Sequence, residues 1–161
     1  VTKMEEQGAI ALDLLRAYGF AIDALHERRI VRTKNIVGDY AETLFARAFD
    51  WDLSSNSNNA FDATDGVKTY QVKSRRLSPT NRSCELGGMP SDELLAFDTL
   101  AAVIFEADFS VLYAALVPVP VLTGLRTSRE TRPRFVFRRS VLDVPGVEDV
   151  THRLRSAQMT F

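Results

Sequence analysis

Phe61-Asp62-Ala63-Thr64-Asp65-Gly66-Val67-Lys68-Thr69-Tyr70-Gln71-Val72-Lys73-Ser74 is the stretch on which the reading of this chain turns. Asp65-Gly66 stands between two short β-type runs, a good signal for a hairpin turn. The run from Val67 to Ser74 then returns as a strand. Side chains alternate along a strand, so Gln71 and Lys73 share one face while Tyr70 and Val72 share the other. Two residues of strand rise put Gln71 and Lys73 about 7 Å apart, and the hairpin lays Asp62 beside them. A carboxylate, an amide oxygen and an ammonium are therefore expected at one spot on a sheet.

Working upstream, Asn35 is an N-cap for a helix over Ile36 to Phe49, with apolar positions at Val37, Ala41, Leu44, Phe45, Ala48 and Phe49. Glu42 falls in line with Gly38, Phe45 and Phe49 on the packed side of that helix. A carboxylate on an apolar face needs a partner. Asp39 lies nearer the polar edge, and Gly38 leaves room for a close approach. An earlier helix over Glu5 to Arg28 places Ile10, Leu14, Ala17 and Ala21 at helical spacing, with Gly19 as a weak point. A basic stretch from His26 to Asn35 joins the two helices.

Downstream, Asp50 to Ala60 and Leu77 to Pro90 read as loops, and Ser91 caps a short helix over Asp92 to Phe97. Leu100 to Phe105 and Val111 to Val117 are apolar on both faces, as strands in the middle of a covered sheet are. Pro118 and Pro120 end the second run. A helix over Leu122 to Arg129, a strand over Arg134 to Arg138 and a closing helix over Glu148 to Ala157 complete the pattern. Helices first, a sheet in the middle and mixed elements after it make an α/β or mixed α+β domain.

The chain has 161 residues, within the range of one domain. It divides into an N-terminal helical extension (1–34), a core (36–117) and a C-terminal strand with helices (118–161). Its net charge of −1 means that nucleic-acid affinity must come from a local patch. One cysteine, Cys84, excludes an intrachain disulfide, and the two histidines form no zinc pattern. No apolar run approaches the roughly 20 residues of a membrane helix. The expectation is a cytoplasmic protein with no membrane contact and no organic cofactor.

Metal-assisted phosphodiester hydrolysis needs the set gathered here. A hard cation such as Mg²⁺, with Mn²⁺ as substitute, takes oxygen ligands: the Asp62 carboxylate, the Gln71 side-chain oxygen and the Val72 carbonyl. Lys73 would orient a water and offset charge on the phosphate, with Glu42 as the further acid. Lys34, Lys68, Arg75, Arg76 and Arg82 lie around this set in sequence and form a DNA-facing group. The segment from Arg126 to Arg139 is a second basic strip.

Gly38-Asp39-Tyr40-Ala41-Glu42, then Phe61-Asp62-Ala63, then Tyr70-Gln71-Val72-Lys73-Ser74-Arg75 resembles the PD-(D/E)XK nuclease superfamily, above all its restriction-endonuclease-like and Holliday-junction-resolvase-like branches. The resemblance implies a mixed sheet of about four core strands in an α-β-β-β-α-β order. It implies metal binding by Asp62 and Gln71, a catalytic Lys73 and a supporting Glu42. Phe61 stands where the motif's name has proline, and Gln71 stands for the second acid. The function expected is a Mg²⁺-dependent DNA endonuclease of restriction, defence or repair type. A homodimer is expected because cutting both strands of a duplex calls for two sites about a twofold axis. Two other classes stay open: a catalytically silent DNA-binding or toxin-inhibiting module with this fold, and a structural domain. In those, Asp62 is a turn residue, Gln71 and Lys73 are a solvent-facing row, and Glu42 pairs with an arginine such as Arg16 or Arg75.

Overall fold

The computed structural model describes residues 2–55, 60–89, 95–127 and 133–161. Helix α1 (Lys3–Glu27) is followed by α2 (Ile36–Phe49), then strands β1 (Asp52–Leu53), β2 (Ala63–Thr64), β3 (Thr69–Arg76), β4 (Thr99–Phe105) and β5 (Val111–Pro118). Helix α3 (Val119–Leu125), strand β6 (Glu148–Asp149) and helix α4 (Thr151–Gln158) close the chain. The six strands lie side by side in chain order. Every neighbouring pair is antiparallel except β3–β4, which is parallel. The class is mixed α/β.

β4 lies in the middle of the sheet with all its residues buried, which its unbroken apolar run requires. Alternation along it feeds two cores. Ala101, Val103 and Phe105 pack with Leu44 and Phe45 of α2 and Leu154 of α4 on one face. Leu100, Ala102 and Ile104 pack with Leu122 of α3, Leu86, Phe135 and Phe137 on the other. The register Val72↔Ala101 and Lys73↔Ala102 extends this division to β3. Tyr70 and Val72 therefore face α2, while Gln71 and Lys73 lie on the opposite face.

The α2 bounds are those the sequence predicts, and the Asn35 carboxamide oxygen accepts from the Gly38 amide at 3.2 Å. That carboxamide also fills the space left by the missing side chain of Gly38. The hairpin turn is organised by Asp65, whose carboxylate accepts from the Val67 and Lys68 amides at 2.9 and 2.7 Å and from the Tyr70 hydroxyl at 2.8 Å. Gly66 takes φ +91°, as such a turn requires. Trp51 stacks on Tyr70 with ring centroids 3.7 Å apart and also meets Phe45 and Phe49, so an aromatic stack joins α2 to this edge of the sheet.

Several elements differ from expectation. α1 runs through Gly19 without a break, since the helix is bare there and a glycine costs it only propensity. Two short strands, β1 and β6, fall in segments read as loop and helix, because strands of two residues are defined by their pairing and carry no period of their own. Pro118 and Pro120 also open α3, as proline suits a first turn. The extended segment around Val136 makes a single bridge to Glu85 in place of a strand. The described part of the β3–β4 crossover, 77–89 and 95–98, is irregular. Of the expected helix over Asp92 to Phe97, residues 92–94 lie outside the described residues and 95–97 are irregular.

Candidate active site

β2 stops after pairing Ala63 with Tyr70, and the next step of the ladder is taken by Asp62. Its amide donates to the Tyr70 carbonyl at 2.8 Å. Its carboxylate accepts from the Val72 amide at 2.7 Å and from the Gln71 side-chain amide. In an antiparallel ladder a residue's N–H and C=O leave by the same edge, so the Val72 carbonyl projects beside Asp62. Asp62, Gln71 and Val72 are brought together, with the Gln71 NH₂ turned toward the carboxylate. The Lys73 charge lies close enough to draw the Asp62 pKa down.

Glu42 approaches Asp62 from α2, on the face of the sheet opposite Gln71 and Lys73. It forms an ion pair with Arg32, whose guanidinium also donates to the Ser54 carbonyl at 3.2 Å. The partner is neither Arg16, which pairs with Asp13 on α1, nor Arg75, which donates to the Glu85 carbonyl at 3.3 Å. Arg32 is held by its own backbone. Asp39 accepts from the Arg32 amide at 2.8 Å and from the Thr33 amide, and Thr43 donates to the Ile30 carbonyl at 3.1 Å. Asp39 is thus a buried brace, only 4% exposed, and not a polar-edge residue. The segment before α2 hides this arrangement in sequence, because its arginines look like ordinary surface charge. The one signal is a second carboxylate, at Asp39, close to Glu42 and next to an arginine-rich run.

Arg32, Asp39, Glu42, Ser54 and Asp62 line a polar cleft of about 200 Å³ together with Thr33, Asn35 and Ser55. Burial pushes the Glu42 carboxyl above its ordinary range, and the nearby Asp62 charge adds to this while Arg32 opposes it. Burial likewise raises Asp62, against the Val72 amide, Lys73, Arg32 and Gln71. Two carboxylates held up in this way favour a cation between them. Of the expected ligands Asp62 and Glu42 line this cleft, while Gln71 and Val72 lie outside its lining and are joined to it through Asp62; oxygen donors of this kind suit Mg²⁺ or Mn²⁺. Among the described residues no three His, Cys, Asp or Glu side chains gather into a metal-holding group. Any ion here would lean on the amide and main-chain oxygens.

The five basic residues separate into two sets. Lys34 is exposed between Thr33 and Asn35 at the cleft, and Lys68 is exposed on the hairpin turn. Arg82 is paired bidentately with Glu106 at 2.9 and 3.2 Å. Arg76 donates to the Ala107 carbonyl at 2.7 Å and covers the Phe109 ring. Arg75 and these two are thus engaged within the fold. Part of the second basic strip, 128–132, lies outside the described residues. No described helix is long and apolar enough to cross a membrane. No protein-family model matches the chain, and neither does any curated protein.

Proposed function

We propose that this chain is a Mg²⁺-dependent endodeoxyribonuclease of the PD-(D/E)XK type. The observation that carries the reading is Asp62 completing the β2–β3 ladder with its side chain, beside Gln71 and Val72 and close to Lys73 and Glu42. Asp62, Glu42, Gln71 and the Val72 carbonyl would hold the cation. When bound, the ion supplies Lewis-acid polarisation of a phosphate oxygen and a lower pKa for a water. Asp62 is fixed by two donors and so presents its remaining lone pairs in one direction. Lys73 orients the attacking water and balances charge gathering on the phosphate. Arg32 holds Glu42 and keeps it from swinging into solvent. Lys34 and Lys68 take the DNA backbone and carry no sequence preference of their own.

The test is incubation of the purified chain with plasmid, linear and branched DNA in Mg²⁺, in Mn²⁺ and in chelator. Cutting is expected with either ion and not with chelator. Asp62→Ala and Lys73→Ala are expected to lower it by about 10²-fold or more, with circular dichroism unchanged. A second reading, a catalytically silent DNA-binding module, is favoured by one observation: the Glu42 carboxylate already has Arg32 as its cation. That reading predicts DNA binding that persists in chelator and no cutting with any ion.

A further inference from the structure

α1 leaves its own domain uncovered. It spans Lys3–Glu27 with no buried residue, about 37 Å at helical rise. A capping box at Thr2 and Glu5 nonetheless closes its first turn. A side chain added at Gly8 or Gly19 would meet nothing within 4 Å. Yet the helix is amphipathic. Met4, Leu15, Tyr18 and Leu25 fall along one row at helical spacing, and Ile10, Leu14, Ala17 and Ala21 form a second row beside it.

These rows are exposed at Met4 (82%), Leu14 (67%), Leu15 (65%), Tyr18 (58%) and Ile10 (56%). Taking roughly 200 Å² for a fully exposed residue of this size, the five leave on the order of 650 Å² in water, before the alanines between them. The largest apolar patch on an ordinary monomer is about 300–600 Å², while a stable interface takes about 800 Å² from each partner. The rows run at their C-terminal end into an apolar hollow of about 250 Å³, lined by Leu25, Ile30, Val31, Ile36, Tyr40 and Phe109. The opposite side of the helix carries Glu5, Glu6, Asp13, Asp23 and Glu27 against Arg16, with Leu12 and Phe20 exposed among them, while Lys3 stands at the head of the second apolar row. That balance disfavours both an anionic bilayer and a nucleic acid.

We propose that α1 is a dimerisation helix whose partner is a second copy of this chain, packed antiparallel along the two apolar rows. An antiparallel copy brings the exposed Met4 end of each helix to the open hollow at the root of the other. The contact is then self-complementary, as a twofold interface must be. Small residues at Ala17 and Ala21 let the helix axes approach closely. This interface stands whether or not the cleft cuts DNA.

Light scattering or sedimentation of the whole chain tests it. The expected mass is twice the 18.0 kDa of one chain. Leu14→Asp with Leu15→Asp should return it to one chain without altering the circular dichroism of the fold. On a Cys84→Ser background, Leu14→Cys is expected to form an intermolecular disulfide under mild oxidation, whereas Ala9→Cys, on the polar side, is not. A wild-type chain that stays monomeric throughout a dilution series overturns the proposal, whether or not it pellets with phosphatidylserine-containing vesicles. So does a double variant that stays dimeric, or a disulfide that forms equally at Ala9 and Leu14.

Discussion

Glu42 and Asp62 each have hydrogen-bonding partners, yet burial still holds both carboxyls above their ordinary values of 4.5 and 3.8. At these two positions the folded chain binds protons more readily than the unfolded one. The stability they contribute is therefore full below those ordinary values and is lost as pH rises through the raised ones. In chelator, wild-type protein should gain thermal midpoint on acidification from neutrality toward pH 5, relative to a Glu42→Gln, Asp62→Asn variant that lacks both groups. Equal pH dependence of wild type and variant in a melting series would contradict this. A divalent ion bound by the same carboxylates reverses the preference, because it competes with protons. Mg²⁺ should accordingly raise the wild-type midpoint more at pH 8 than at pH 5.

At the scale of elements, the aromatic stack on Tyr70 and the Asp65-Gly66 turn hold β2 against β3, and with it Asp62. Trp51→Ala should cost about 3–5 kcal/mol by denaturant unfolding and lower activity beyond that loss, whereas Trp51→Phe should cost clearly less. Gly66→Ala meets no atoms, so its penalty of roughly 1 kcal/mol comes from the positive φ alone. What was legible in sequence at this scale follows the strength of local signals. The cap and apolar period of α2, the Asp-Gly turn and the alternation in β3 each act within a few residues, and each reads true. The pairing of Glu42 with Arg32 and the burial of Asp39 depend on how the 30–35 segment folds back on α2, which no period encodes. Asp62 was readable as a neighbour of Gln71. Its bond to the Val72 amide was not, since that depends on where β2 stops.

Across the whole molecule, 20 basic residues are balanced by 21 acidic ones, so the DNA affinity that the proposed function requires would depend on the few cations not already paired with a carboxylate. Lys34→Ala should weaken binding and reduce the slope of log affinity against log salt by about 1. Arg82→Ala should change that slope little, because Glu106 already neutralises it. Fluorescence anisotropy with a labelled duplex over a salt series reads both. A larger effect at Arg82 than at Lys34 would move the DNA path toward the 77–89 loop.

The sheet ends at each side in a strand of only two residues, β1 at one edge and β6 at the other. Such stubs offer a stray chain few rungs of their own, and very short edge strands are one way natural sheets resist fibre growth. Self-association through α1 would instead proceed by side chains meeting side chains. It should be reversible on dilution, adjustable by one substitution at a time, and slow to pass into cross-β aggregates even in concentrated solution.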